Sequence, residues 1–125
     1  NGRGTPLRTQ YLIEACLKYV AANQLAVHFH NTYGQALANL WVALNLGVST
    51  IDSSVAGLGG CPYAQGATGN VATEDVLFML DGLGIETGIN MEKLVDTAIF
   101  ITNAINVPMA SNTAQAIANQ RIKPE

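Results

Sequence analysis

Two short runs constrain what this chain can fold into. Leu25-Ala-Val-His-Phe-His30 and Ser49-Thr-Ile-Asp-Ser-Ser-Val55 alternate with the two-residue period of a strand, and a helical pattern lies between them. Leu25, Val27 and Phe29 fall on one face of the first run; Ala26, His28 and His30 fall on the other. In the second run Ile51 and Val55 share a parity, and Thr50, Asp52 and Ser54 take the opposite one. Strand, helix, strand in that order argues for parallel strands joined by a right-handed crossover.

The helices have recognisable ends. Thr5-Pro6 predicts a cap and first turn for a helix from about Pro6 to about Ala22, with a stripe at Leu7, Tyr11, Leu12, Ala15, Cys16, Tyr19 and Val20. A second helix is expected from about Tyr33 to about Leu46, turning Ala36, Leu37, Leu40, Trp41 and Leu44 inward, with Gly47 as its left-handed terminator. Thr73 is expected to cap a third (Glu74 to Leu83), with Glu74 and Asp75 serving its dipole. Asn90 is expected to cap a fourth that Pro108 stops, and a last helix follows Ser111 from about Asn112 to Asn119. Tyr11, Tyr19, Trp41, Phe78 and Phe100 fall at helical spacing and read as core. Two parallel strands do not make a stable sheet by themselves. The fold expected is therefore α/β: the last two strands of an incomplete (β/α)8 barrel with flanking helices. Residues 1–125 form a single partial domain, of which about 85–125 is a helical C-terminal extension.

Composition narrows the class. With 49% hydrophobic and 12% charged residues the chain is that of a folded protein, and a net charge of −3 offers no footprint for nucleic acid or an anionic membrane. No apolar run reaches the length of a membrane span. Two cysteines make no disulfide framework and fit a reducing compartment.

The chemistry gathers around Ser53–Asn70, where Gly57, Gly59, Gly60, Gly66 and Gly69 surround Cys61 and Pro62. A thiol after Gly59-Gly60 has little core to bury it and can move a proton or act as a nucleophile from a closing loop; the alternative is a plain tight turn. His28 and His30, the chain's two histidines, project the same way. They are either the start of a metal site or an ordinary polar face. Asn70, just before a helix, is either its cap or an oxygen ligand. Asp52 reads as a group supporting the site from the barrel interior.

Three linked segments carry a resemblance. Ser53-Ser-Val-Ala-Gly-Leu-Gly-Gly-Cys61-Pro-Tyr-Ala is similar to the active-site signature of 3-hydroxy-3-methylglutaryl-CoA lyases. Val27-His-Phe-His30-Asn-Thr-Tyr-Gly-Gln-Ala-Leu-Ala-Asn resembles their metal-binding strand and following helix, and Gly66-Ala-Thr-Gly-Asn70 the segment supplying another ligand. The resemblance runs from Gly4-Thr-Pro to within about the last fifteen residues. It implies a TIM barrel of the DRE metallolyase type and a carbon–carbon (oxo-acid) lyase of leucine degradation and ketogenesis. Such enzymes cleave 3-hydroxy-3-methylglutaryl-CoA to acetyl-CoA and acetoacetate. Carried over, His28, His30 and Asn70 are ligands to Mg2+ or Mn2+, and Cys61 handles a proton from a lid, with His28 helping. The resemblance also implies an acyl-CoA substrate and a homodimer in the full-length form. The expected compartment is the bacterial cytoplasm or the mitochondrial matrix.

Claisen-condensing relatives share the His-x-His strand but carry Gly-Ile-Gly-Glu-Arg where this chain has Gly57-Leu-Gly-Gly-Cys61. The cysteine therefore favours the lyase. Asn31 replaces the family's usual aspartate. The family's first-strand arginine and aspartate and a later glutamate have no counterpart in these residues. The isolated chain is therefore expected to be poorly stable and inactive, functional as the C-terminal segment of a complete barrel. The alternative is a non-catalytic truncated product or interaction fragment.

Overall fold

The computed structural model describes residues 1–60 and 69–122. They fall into two compact units, residues 1–53 with 59–71 and residues 54–58 with the chain from 72 onward.

The first unit begins with α1 (Pro6–Cys16) and a 3-10 turn at Ala22–Gln24, followed by β1 (Ala26–His28), α2 (Ala36–Asn45) and β2 (Thr50–Asp52). β1 and β2 are parallel, in the register Ala26↔Thr50, Val27↔Ile51 and His28↔Asp52. Proline stands at the first turn of α1 as expected, but the Thr5 side chain makes no capping bond. The helix instead starts on the backbone, with Thr9 N donating to Thr5 O at 2.9 Å. α1 also ends earlier than the stripe suggested, at Cys16, and the face it buries is that of Thr9 and Ile13. It packs on α2, which buries Ala36, Asn39, Leu40 and Ala43. Fully burying a residue like Leu40 contributes about 1.5–3 kcal/mol.

Asn31 Oδ1 accepts from Ala36 N at 3.2 Å, so this residue's amide ties the turn after β1 to the start of α2. Gly47 terminates α2 at φ +89, as its position predicted.

The second unit holds α3 (Thr73–Gly82), α4 (Met91–Ala104) and α5 (Asn112–Ile122). Ala56, Val95, Ala98 and Ala114 form its buried cluster, against which Met91, Ile99 and Ile117 pack. Thr73 is the first residue of α3 rather than its cap, and its N–H donates to Ser54 O at 2.9 Å. Asn90 caps α4 through Lys93 N at 2.9 Å. α4 stops before Pro108: Asn106 turns left-handed (φ 52) and Val107 N reaches back to Thr102 O at 3.0 Å. Ser111 caps α5, its Oγ accepting from Ala114 N at 3.1 Å and donating to Asp75 Oδ1 at 3.0 Å. Arg121 joins α5 to α4 through Asp96 and Glu92.

The aromatic residues depart from expectation. Tyr11, Tyr19, Trp41, Phe78 and Phe100 are all exposed among the described residues, Tyr19 at 87%. Helical spacing shows that residues share a face. Which face is buried depends on what packs there.

Candidate functional site

His28 ends β1 and Asp52 ends β2, and the register sets them side by side. The C-terminal ends of parallel strands are where α/β folds collect ligands, because side chains and loops converge there. His28 Nδ1 lies 3.5 Å from Asp52 Oδ2. Its other nitrogen, Nε2, lies 3.3 Å from Nε2 of His30, with the two rings tilted by 49°. The two-residue period thus brings both imidazoles to one point, as the strand pattern predicted, while Asp52 can orient His28 from behind.

Asn70 is brought to this point by backbone pairing. Asn31 N donates to Gly69 O at 3.3 Å and Val71 N to Phe29 O at 3.1 Å, so His30 and Asn70 form an antiparallel bridge. From the other side Asn70 N donates to Gly59 O at 3.2 Å. Gly59 sits at φ +96, and a Cβ there would come within 2.9 Å of Asn70 Nδ2. A side chain here would be strained by the backbone and would have to push the Asn70 amide aside.

A cavity of about 580 Å³ opens over these groups, lined by His28, His30, Asn39, Asn70, Gly60 and the first four residues of the chain. Asn39 was not singled out from the sequence. It is 2% exposed, its Nδ2 donates to Gly4 O at 3.1 Å, and its Oδ1 is buried with no hydrogen-bond partner among the described residues. The signal available was an amide in the otherwise apolar stripe of α2. Cys61 lies outside the described residues. Cys16 is half-buried and free.

In the second unit, Ala56 hangs on Glu74. Its carboxylate is fully buried and accepts from Ala56 N at 2.9 and 3.1 Å. Ala56 is left-handed, at φ 57, an uncommon conformation for a residue with a Cβ. Burial pushes the Glu74 carboxyl above its ordinary range, and the Ala56 N–H pulls it partly back. Glu74 stands in the first turn of α3, as the dipole reading expected, and there it is also a buried brace for Ala56.

As a metal site the donor set fits in part. Two ligands about 2.1 Å from one ion and at right angles to each other lie about 3 Å apart, close to the spacing of the two Nε2 atoms. Among the described residues, no three His, Cys, Asp or Glu side chains come together around a single point. The two imidazoles and the Asn70 amide oxygen supply fewer donors than the six or so that a Mg2+-like ion takes.

Comparison with known proteins gives a consistent result. The family model HMGL-like matches residues 1–101. The chain is 59% identical over 115 residues to the mitochondrial hydroxymethylglutaryl-CoA lyase of Gallus gallus, covering 92% of this chain and 39% of that one. The crystal structure of hydroxymethylglutaryl-CoA lyase from Pseudomonas aeruginosa superposes with a TM-score of 0.92 at 52% identity, over 95% of this chain and 40% of that one. An Acinetobacter baumannii lyase, solved in complex with coenzyme A and 3-methylmalate, gives 0.87 at 34% identity, over 93% and 38%. The chain thus spans about 40% of the length of these relatives. Its parallel strands and helices have the α/β architecture of part of a TIM barrel.

Proposed function

The chain belongs to the HMGL-like family, and from that premise we propose that it carries part of the active site of a hydroxymethylglutaryl-CoA lyase. The reaction proposed is the metal-dependent cleavage of 3-hydroxy-3-methylglutaryl-CoA to acetoacetate and acetyl-CoA. The observation that carries this reading is the pair of imidazole nitrogens 3.3 Å apart at the end of β1, in one cavity with Asn70. His28, His30 and Asn70 hold a divalent cation, Mg2+ or Mn2+, with further ligands from the rest of the barrel. The bound cation supplies charge stabilisation for the substrate oxygens.

The chain's own residues then have separate tasks. Asp52 keeps His28 Nδ1 protonated and leaves Nε2 as the ligand atom. The Cys61 thiolate takes the proton of the substrate's tertiary hydroxyl, whose oxygen forms a carbonyl as the bond from C3 to C2 breaks. The electron pair passes to C2 as the enolate of acetyl-CoA, and Cys61 returns a proton to that carbon. The proposed compartment is the mitochondrial matrix for a eukaryotic source and the cytoplasm for a bacterial one.

The test uses protein expressed from the complete gene. It should cleave the thioester only with Mg2+ or Mn2+ present, and Cys61→Ala should remove most turnover while leaving Mn2+ affinity nearly intact. No cleavage by the unaltered protein refutes the function; lost metal binding in the variant refutes the role given to the thiol.

A further inference from the structure

Residues 1–4 line part of the histidine cavity, and two contacts inside the first unit hold them there. At one end Gly2, left-handed at φ +72, passes so close to Thr32 that a Cβ would meet the Thr32 backbone N at 2.9 Å. At the other end Gly4 O accepts from Asn39 Nδ2 at 3.1 Å. Thr32 lies in the turn after β1 and Asn39 about one turn into α2. This wall of the cavity is therefore tied to the stretch of chain that directly follows His28 and His30.

Asn39 shares the buried face of α2 with Ala36, Leu40 and Ala43. Burying a carboxamide among apolar groups is unfavourable unless both its ends are hydrogen-bonded. Gly4 O satisfies the nitrogen. Because that partner is a carbonyl, the amide's orientation is fixed, and the oxygen is the end left over. Oδ1 is buried without a partner among the described residues, on a side chain that lines the cavity. A carboxamide oxygen accepts and cannot donate, and an ionised carboxylate on an acyl ligand is the same. The two meet through a water, which donates one hydrogen to each.

We infer that Asn39 is a positioning residue of the acyl site: its Nδ2 holds the cavity wall at Gly4, and its Oδ1 holds a water against the carboxylate of the bound acyl group. The inference rests on the function proposed above and adds to it a residue outside the metal-ligand set. A wall released from Asn39 leaves the acyl group less well placed, and a small misplacement in such a site has a large effect on rate and affinity.

The experiment uses protein from the complete gene and a probe without the carrier, 3-hydroxy-3-methylglutarate, titrated by calorimetry with Mn2+ present. Asn39→Ala should weaken this acid by about tenfold or more, with Mn2+ affinity within about twofold of the parent. Trypsin cleavage of the Arg3–Gly4 bond, followed by mass spectrometry, should quicken by about tenfold, while cleavage after Lys93 within α4 keeps the parent's rate. Asn39→Asp keeps the size and an acceptor oxygen, loses the donor to Gly4 and adds a charge that opposes the acid. It should weaken the acid at least as much as alanine does. Gly2→Ala displaces the wall from its other anchor and should weaken the acid with Asn39 intact. Unchanged acid affinity in Asn39→Ala overturns the inference. So does equal quickening of both cleavages, which marks a loss of general stability alone, or a parallel loss of Mn2+ affinity, which makes Asn39 a support of the cation. An unaltered protein that cleaves the thioester but does not bind the acid also overturns it. An unaltered protein that binds the acid, loses it in Asn39→Ala and cleaves no thioester refutes the function proposed above and upholds this role.

Discussion

Replacing Glu74 tests how the left-handed turn at Ala56 is held. In Glu74→Ala the buried Ala56 N–H loses both acceptors, at 2.9 and 3.1 Å. A hydrogen bond to a charged partner contributes about 1.5–3 kcal/mol. Removing one buried methylene adds about 0.8 kcal/mol. Against this stands the relief of a buried carboxylate, whose raised pKa shows that burial disfavours its charge. The net expectation is a destabilisation of about 1–3 kcal/mol, read from urea denaturation midpoints at constant m. Glu74→Gln keeps an oxygen for Ala56 and removes the charge, so it should stay within about 1 kcal/mol of the parent.

The same pair predicts a pH dependence. Because the folded carboxyl titrates above its unfolded value, the folded state holds the proton more tightly between the two pKa values. The contribution of Glu74 to stability therefore falls as pH rises through that window and is lowest once the folded carboxyl is ionised. On acidification from neutral pH, the parent should gain stability relative to Glu74→Gln. An alanine variant as stable as the parent would refute the brace. A parent-minus-glutamine difference that is flat with pH, or of opposite sign, would refute the buried charge.

Asp52→Asn removes the charge behind His28 Nδ1, 3.5 Å away, and should weaken Mn2+ binding by about 10–100-fold. Paramagnetic resonance of free Mn2+ reads this directly, and unchanged affinity would make Asp52 a mere neighbour. Ser111→Ala leaves Ala114 N and Asp75 Oδ1 each short of a buried partner. It should lower stability by about 1–3 kcal/mol, and a denaturation midpoint equal to the parent's would show the cap to be dispensable.

Much of the site was legible because it is local. A two-residue period was enough to place His28 and His30 on one face and Asp52 on the inward parity of the next strand. Caps at Asn90 and Ser111 and the terminator Gly47 follow from donor chemistry and backbone geometry within a few residues, and the structure has them. Where two local solutions compete, the pattern decided less well. Thr5 and Thr73 are sound capping residues by type, yet neither helix has a side-chain capping bond at its start.

The sequence by itself determined the strand–helix–strand order and the shared face of the two histidines, since each depends only on residue type and short-range spacing. Tertiary structure decided the rest. The register that sets His28 beside Asp52, the bridge that brings Asn70 to His30 and the burial of Glu74 under Ala56 are contacts between residues far apart in the chain. Their geometry is fixed by which backbone groups find each other, and no local periodicity encodes that choice.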